Sequence, residues 1–220
     1  MAITRITSDL LEDLTVATGD IADLAVTAAK LATDAVTPAK IQADAVTTAK
    51  ILNANVTPAK LSQPMTQGTV AVTTSGTERD FAIPAWAKHI RVMLQGVSLS
   101  GTALLRFRLG TSGGIVTSGY LGAGSVIAAT VATANQTAGW DIYNSAPAGA
   151  DIYTGSIEIT QLDATNNIWV ASGVFAQTSS ARTYTVSGQV TLASALTTLR
   201  VTTSNGTDTF DAGSINILFD

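Results

Sequence analysis

The sequence predicts a mainly β protein: a C-terminal β-sandwich head, jelly-roll-like, preceded by a segmented stalk of short helices and extended links. Three observations carry this expectation. Residues 21–61 repeat every ten positions; after about residue 65 the repeat gives way to short β-branched runs divided by Gly, Ser, Thr and Asn. Only 13% of residues are charged, against roughly 25% in ordinary soluble domains.

The stalk is read from its decads, IADLAVTAAK, LATDAVTPAK, IQADAVTTAK and ILNANVTPAK. Ile21, Leu31, Ile41, Ile51 and Leu61 hold the first position, Val26, Val36, Val46 and Val56 the sixth, and Lys30, Lys40, Lys50 and Lys60 the tenth. A self-similar array of this kind builds a rod rather than a pocket. One decad holds too little apolar surface to offset about 1 to 2 kcal/mol of backbone entropy per ordered residue, and it touches its neighbours only end to end. Identical chains alongside supply the missing cover, with the Ile/Leu and Val positions facing the shared axis.

A continuous helix does not fit. Ten residues match neither the period of about 3.5 residues of a left-handed coiled coil nor the period of about 3.67 of a right-handed one, and Pro38 and Pro58 recur inside the pattern. In VTPAK the Thr is a candidate helix cap and the Pro takes the first helical position, where its missing N–H is harmless. Thr37-Pro38 and Thr57-Pro58 are therefore expected to start short helices, with DAV and NANV as extended links.

Gln63 to Gly68 interrupt the decads, which sets three regions: residues 1–20, 21–62 and 63–220. In the first, Ile3, Ile6, Leu10, Leu11 and Leu14 make a partial helical stripe, read either as an attachment segment or as a cap on the rod. MAITRITSDLLEDL has no cationic segment followed by an apolar core, so no secretory signal is expected.

Composition narrows the partners. No run of 18 apolar residues is present, so membrane insertion is not expected. A net charge of −4 without a basic stripe argues against nucleic acid. Cysteine is absent, and with it disulfides and thiolate metal sites. A chain so poor in charge and rich in Ala, Val and Thr is expected to hide surface in subunit contacts; a weakly charged monomer is the other reading.

In the head, strands are expected at 90–94, 103–109, 156–160, 168–175, 182–192, 199–203 and 215–219. Alternation in LLRFRL turns Leu105, Phe107 and Leu109 inward and leaves Arg106 and Arg108 on the other face. Asn205-Gly206 predicts a tight reversal. The passages Gly110–Gly114 and Gly119–Gly124 lack the Lys and the helix of a phosphate loop and read as strand connections.

Chemistry-bearing residues are sparse. His89 is the single histidine, with no second ligand type near it in sequence, and reads as structural. Asp208 and Asp211 match no calcium loop and read as turn-bonding side chains. Trp140, Tyr143 and Asn144 in GWDIYNS are the candidate receptor contacts, since rings beside Asn and Asp stack on sugars. For the two rings, a chain–chain contact and ordinary packing stay open. Trp169 reads as core, and Trp86 as packing under the strand that follows. No catalytic residue, metal ligand or cofactor site is expected. An enzyme such as a depolymerase would need paired acids assembled between chains.

Two resemblances address function. IPAWAKHIRVMLQGVSLSGTALLRFRLG, GGIVTSGYLG and LRVTTSNGTDTFDAGSINILFD resemble the C-terminal β-domain of tailed-phage virion proteins labelled tail fibre proteins, over about residues 83 to 220. The DAVTPAKI decads resemble the repeat stalks of phage head and tail fibres, which are homotrimers. The resemblance implies a homotrimeric, non-enzymatic virion appendage. Its N-terminal segment would anchor to other virion proteins, and its head would meet a host-surface glycan or protein. The alternative it implies is a head fibre or capsid decoration (cement) protein at a symmetry axis of the shell. No active-site pattern comes with either match.

Overall fold

The structure, a computed structural model, describes residues 21–23, 25–43, 45–51, 56, 60 and 65–220. The chain divides into two compact units, Met1–Val56 and Thr57–Asp220. The expected anchoring residues Ile3, Ile6, Leu10, Leu11 and Leu14, the Thr57-Pro58 helix start and Leu61 lie outside the described residues.

Among the described residues of the first unit, the three decads 21–30, 31–40 and 41–50 are each a pair of tight turns joined by extended backbone. Ala25, Ala35 and Ala45 donate their N–H groups to the carbonyls of Ala22, Ala32 and Gln42 at 3.0, 3.1 and 3.0 Å. Single 3-10 turns follow at Ala28–Lys30, Pro38–Lys40 and Thr48–Lys50. At Thr37-Pro38 the expected short helix shrinks to one turn. Ile41 is already extended, at φ −97° and ψ 109°, and the Thr37 hydroxyl caps nothing. Three residues close too few hydrogen bonds to sustain an α-helical nucleus. The terminal Lys clamps the decad instead: Nζ of Lys30, Lys40 and Lys50 donates to the carbonyl of Ala25, Ala35 and Ala45 at 2.6, 2.8 and 2.6 Å. Asp34, third in its turn, has φ 62°, a left-handed conformation that Asp tolerates.

Among the described residues the second unit has fourteen strands in two antiparallel sheets, a sandwich-like arrangement. The larger sheet runs in the order β1 (Thr66–Gln67), β14 (Phe210–Phe219), β4 (His89–Leu99), β10 (Tyr153–Asp163), β11 (Ile168–Gln177), β12 (Arg182–Thr191), β7 (Leu121–Ile127), β8 (Val131–Gln136). Strand β2 (Ala71–Val72) also pairs with β14. The smaller sheet runs β3 (Glu78–Ala82), β13 (Leu196–Thr203), β5 (Leu105–Thr111), β6 (Gly114–Ile115), with β9 (Trp140–Asp141) also on β5.

Period-two alternation turns one face of each sheet inward. Ile90, Val92 and Ile157 of the larger sheet and Leu105, Phe107 and Val201 of the smaller join one buried apolar cluster. Fully burying each such side chain contributes about 1.5 to 3 kcal/mol. Phe107 and Phe175 stack between the sheets with centroids 5.7 Å apart and planes 14° apart. Leu105, Phe107 and Leu109 point inward as the alternation requires.

One local expectation is corrected and one turn is placed between layers. Residues 121–124, part of the Gly119–Gly124 passage read as a connection, lie inside β7, where Gly122 and Gly124 face the interior. The Asn205-Gly206 turn forms, with Gly206 at φ 71° and the Asn205 side-chain oxygen accepting the Thr207 and Asp208 N–H groups at 3.0 Å. It makes no hairpin: β13 and β14 belong to different sheets, so the turn carries the chain from one layer to the other.

Candidate functional site

In the repeat unit the first- and sixth-position side chains, Ile21, Val26, Leu31, Val36, Ile41, Val46, Ile51 and Val56, are between 42 and 57% exposed. One chain leaves a large aliphatic group bare at every fifth residue. The row is regular in spacing and uncovered in the single chain.

The GWDIYNS segment differs from its expectation as a ligand loop. Trp140 and Asn144 are buried and Tyr143 is half-buried, so Trp140 and Asn144 present no face to a receptor. The reason is the pairing of β9 with β5, Trp140 opposite Phe107 and Asp141 opposite Arg106, which turns the indole inward. Glycines make room for it. A Cβ on Gly122 would lie 2.7 Å from the Ser187 carbonyl oxygen and 3.4 Å from Trp140 Cδ1, and one on Gly188 would lie 3.1 Å from Trp140 Nε1. Tyr120 meets Trp140 edge-on, centroids 5.1 Å apart, and its hydroxyl accepts the Leu109 N–H at 2.8 Å. Burial pushes the Tyr120 pKa up to about 12.

Asn144 belongs to a buried polar plug. Its Nδ2 donates to Asp151 Oδ2 at 2.8 Å, and its Oδ1 accepts the Ala146 N–H at 3.1 Å. Asp151 also accepts the Ala148 N–H at 2.9 Å and Gln177 Nε2 at 2.5 Å. The Tyr184 hydroxyl donates to Gln177 Oε1. Burial raises the pKa of Tyr153 and of Tyr184. Every member is partnered, so the plug fastens the 144–151 loop to the β11–β12 hairpin and leaves no polar group aimed at solvent for a ligand.

The fold supplies His89 with neighbours that its sequence context does not. Nδ1 lies 3.0 Å from Asp220 Oδ1 and Nε2 lies 2.8 Å from Glu158 Oε2. Arg91, opposite Glu158 in the β4–β10 register, donates Nε to Glu158 Oε1 at 2.9 Å. Hydrogen bonds from His89 and then Arg91 hold the Glu158 carboxyl below its usual pKa. A protonated ring donates to both carboxylates and a neutral one to a single partner. Nothing in the sequence links these groups; the adjacency of β14, β4 and β10 in the sheet brings them together. Among the described residues no group of His, Cys, Asp and Glu is arranged to hold a metal, and no helix is long and apolar enough to cross a membrane.

Asp208 and Asp211 make bonds between distant segments: Asp208 Oδ2 accepts the Ala103 N–H at 2.8 Å, and Asp211 accepts the Ser98 hydroxyl. Trp169 is buried, and Trp86 packs on Phe219 with centroids 5.5 Å apart. A shallow open depression on the outer face of the larger sheet is lined by Ser156, Glu158, Ser172, Val174, Thr185 and Ser187 above Gly173.

These features define a class: a charge-poor, mainly β protein with two antiparallel sheets and a repeat segment whose aliphatic groups are bare. Comparison with protein-family models, curated proteins and solved structures returns no match.

Proposed function

We propose that this chain is a non-enzymatic structural protein of a virus particle, a homotrimeric fibre. In this reading the N-terminal segment anchors to other virion proteins, the decads form the stalk, and the head binds the host surface. The observation that carries it is the row of eight half-exposed aliphatic side chains from Ile21 to Val56, which only parallel chains in register cover economically. The resemblance of the decads and of the head to phage appendages supplies the virion. Three heads on one stalk would gain host affinity through effective concentration.

One observation favours a second reading, a capsid decoration protein. Trp140 and Asn144, the expected receptor contacts, are buried, which removes two of the three side chains that supported host binding. Immunogold electron microscopy of intact particles with an antibody against the head separates the two. Label at the tail tip supports the host-binding fibre, label over the head supports decoration, and absence of label from particles sinks both.

A further inference from the structure

Strands β11, β12, β7 and β8 lie side by side at one end of the larger sheet, and together they contain a single charged residue, Arg182. That residue opens β12 and reaches Asn144 of the buried plug at 3.4 Å. The outward face of the four strands is therefore free of charge. One of its rows runs in register as Val174, Thr185, Ser125 and Thr133, with the Thr185 and Ser125 hydroxyls 2.6 Å apart. Leu121, Ile127, Val131 and Val174 stand on this face between 46 and 66% exposed.

The edge is equally unprotected. Strand β8 ends the sheet, and among the described residues no strand pairs with its far side. Its sequence, VATANQ, has no Lys, Pro or charge, the devices by which natural edge strands avoid sticking to other chains. A charge-free face beside a bare edge marks a surface that is covered in the working protein.

We propose that the outer face of β11, β12, β7 and β8 is a docking surface for a second copy of this chain, so that heads as well as repeats associate. The proposal rests on the homo-oligomer reading of the decads and extends it. An occupant with charged groups would leave them desolvated and unpaired against this face, at a cost of several kcal/mol per ion. The same face of another copy brings only hydroxyls, small aliphatics and a free edge. Size sets the strength. Four strands about 4.8 Å apart, with about seven residues each at about 3.3 Å, present roughly 450 Å², below the about 800 Å² per partner of a stable interface. Heads alone associate weakly, and the high local concentration supplied by the associated repeats holds them together.

The chain has no cysteine, so single introduced thiols report proximity. Ser187→Cys on the proposed face, Ala82→Cys on β3 of the smaller sheet and Ile41→Cys in the repeats are compared in the full-length protein. Each is treated with a short bis-maleimide at micromolar concentration after circular dichroism has shown an unchanged fold. The expected result is at least about tenfold more covalent oligomer from Ser187→Cys than from Ala82→Cys. Equal yields from those two overturn the proposal. Cross-linking at Ile41→Cys without Ser187→Cys removes the face and keeps the repeat interface; the reverse removes the repeat interface and keeps the face.

Discussion

Arg106 on β5 and Asp141 on β9 form a two-pronged pair, Nε to Oδ1 at 2.6 Å and the second guanidinium nitrogen to Oδ2 at 2.8 Å. Both side chains are nearly buried, 14 and 11% exposed. The hydrogen bonds that Arg106 donates to Asp141 keep the guanidinium pKa above its ordinary value. The pair fixes β9 against the smaller sheet and so orients Trp140, its neighbour, into the core. Asp141→Ala would leave a desolvated cation, and removing one partner of such a pair costs about 3 kcal/mol or more. Urea denaturation should show that loss, with Asp141→Asn losing less because one acceptor remains. A midpoint unchanged in Asp141→Ala would mean that Trp140 packing alone holds β9.

Gly122 tests the space that the indole occupies. A methyl group there meets the Ser187 carbonyl oxygen at 2.7 Å, and a backbone atom in a paired strand does not swing aside. Gly122→Ala should cost about 1 to 3 kcal/mol, the usual range for overpacking, and should shift tryptophan emission to the red. Gly113→Ala is the control. Its Cβ would meet only Thr111 Oγ1, at 3.5 Å, and its stability should stay within about 0.5 kcal/mol of the parent.

Alkaline pH should unfold the head through its tyrosines. The buried Tyr120 hydroxyl has a pKa raised to about 12, while in the unfolded chain a tyrosine ionises near about 10. The folded pKa is the higher one, so the stabilisation is complete below pH ~10 and is lost as pH rises toward ~12. Two units correspond to about 3 kcal/mol for one phenol. Tyr153 and Tyr184 shift in the same direction. In a Tyr143→Phe background, which removes the half-buried tyrosine outside this group, absorbance at the phenolate band and circular dichroism should therefore change together in one transition, which Tyr120→Phe moves to higher pH. Phenolate appearing with the fold intact would show that Tyr120 reaches solvent.

What the sequence disclosed follows physical regularity. β-branched alternation is a local signal, so β4, β5 and β10 to β14 were legible, down to the inward set of Leu105, Phe107 and Leu109. Strand β7 was not, because LGAGSVI has the composition of a loop. Gly122 serves close packing against Trp140 and Ser187, and Gly124 against Gln136 and Tyr143, a reason that exists only once the strands are paired. The same distance in sequence hid Glu158 and Asp220 from His89. The aromatic loop misled for the converse reason. A ring beside Asn and Asp reads as exposed, and the pairing of β9 with β5 buries it.

The repeats give the sharpest test of assembly. Val36 and Val46 are each 57% exposed in the single chain, and in the proposed trimer each position brings three copies to one axis. Replacing both by Asp would bury carboxylates with no partner, which costs far more than the loss of two valines. Light scattering should report a fall from a three-chain mass to a single-chain mass. The circular dichroism of the head should persist, because its buried cluster draws entirely on residues 81–219. Retention of the three-chain mass would mean that these valines face solvent and that the chains are joined elsewhere; a single-chain mass in the parent protein would remove the trimer altogether.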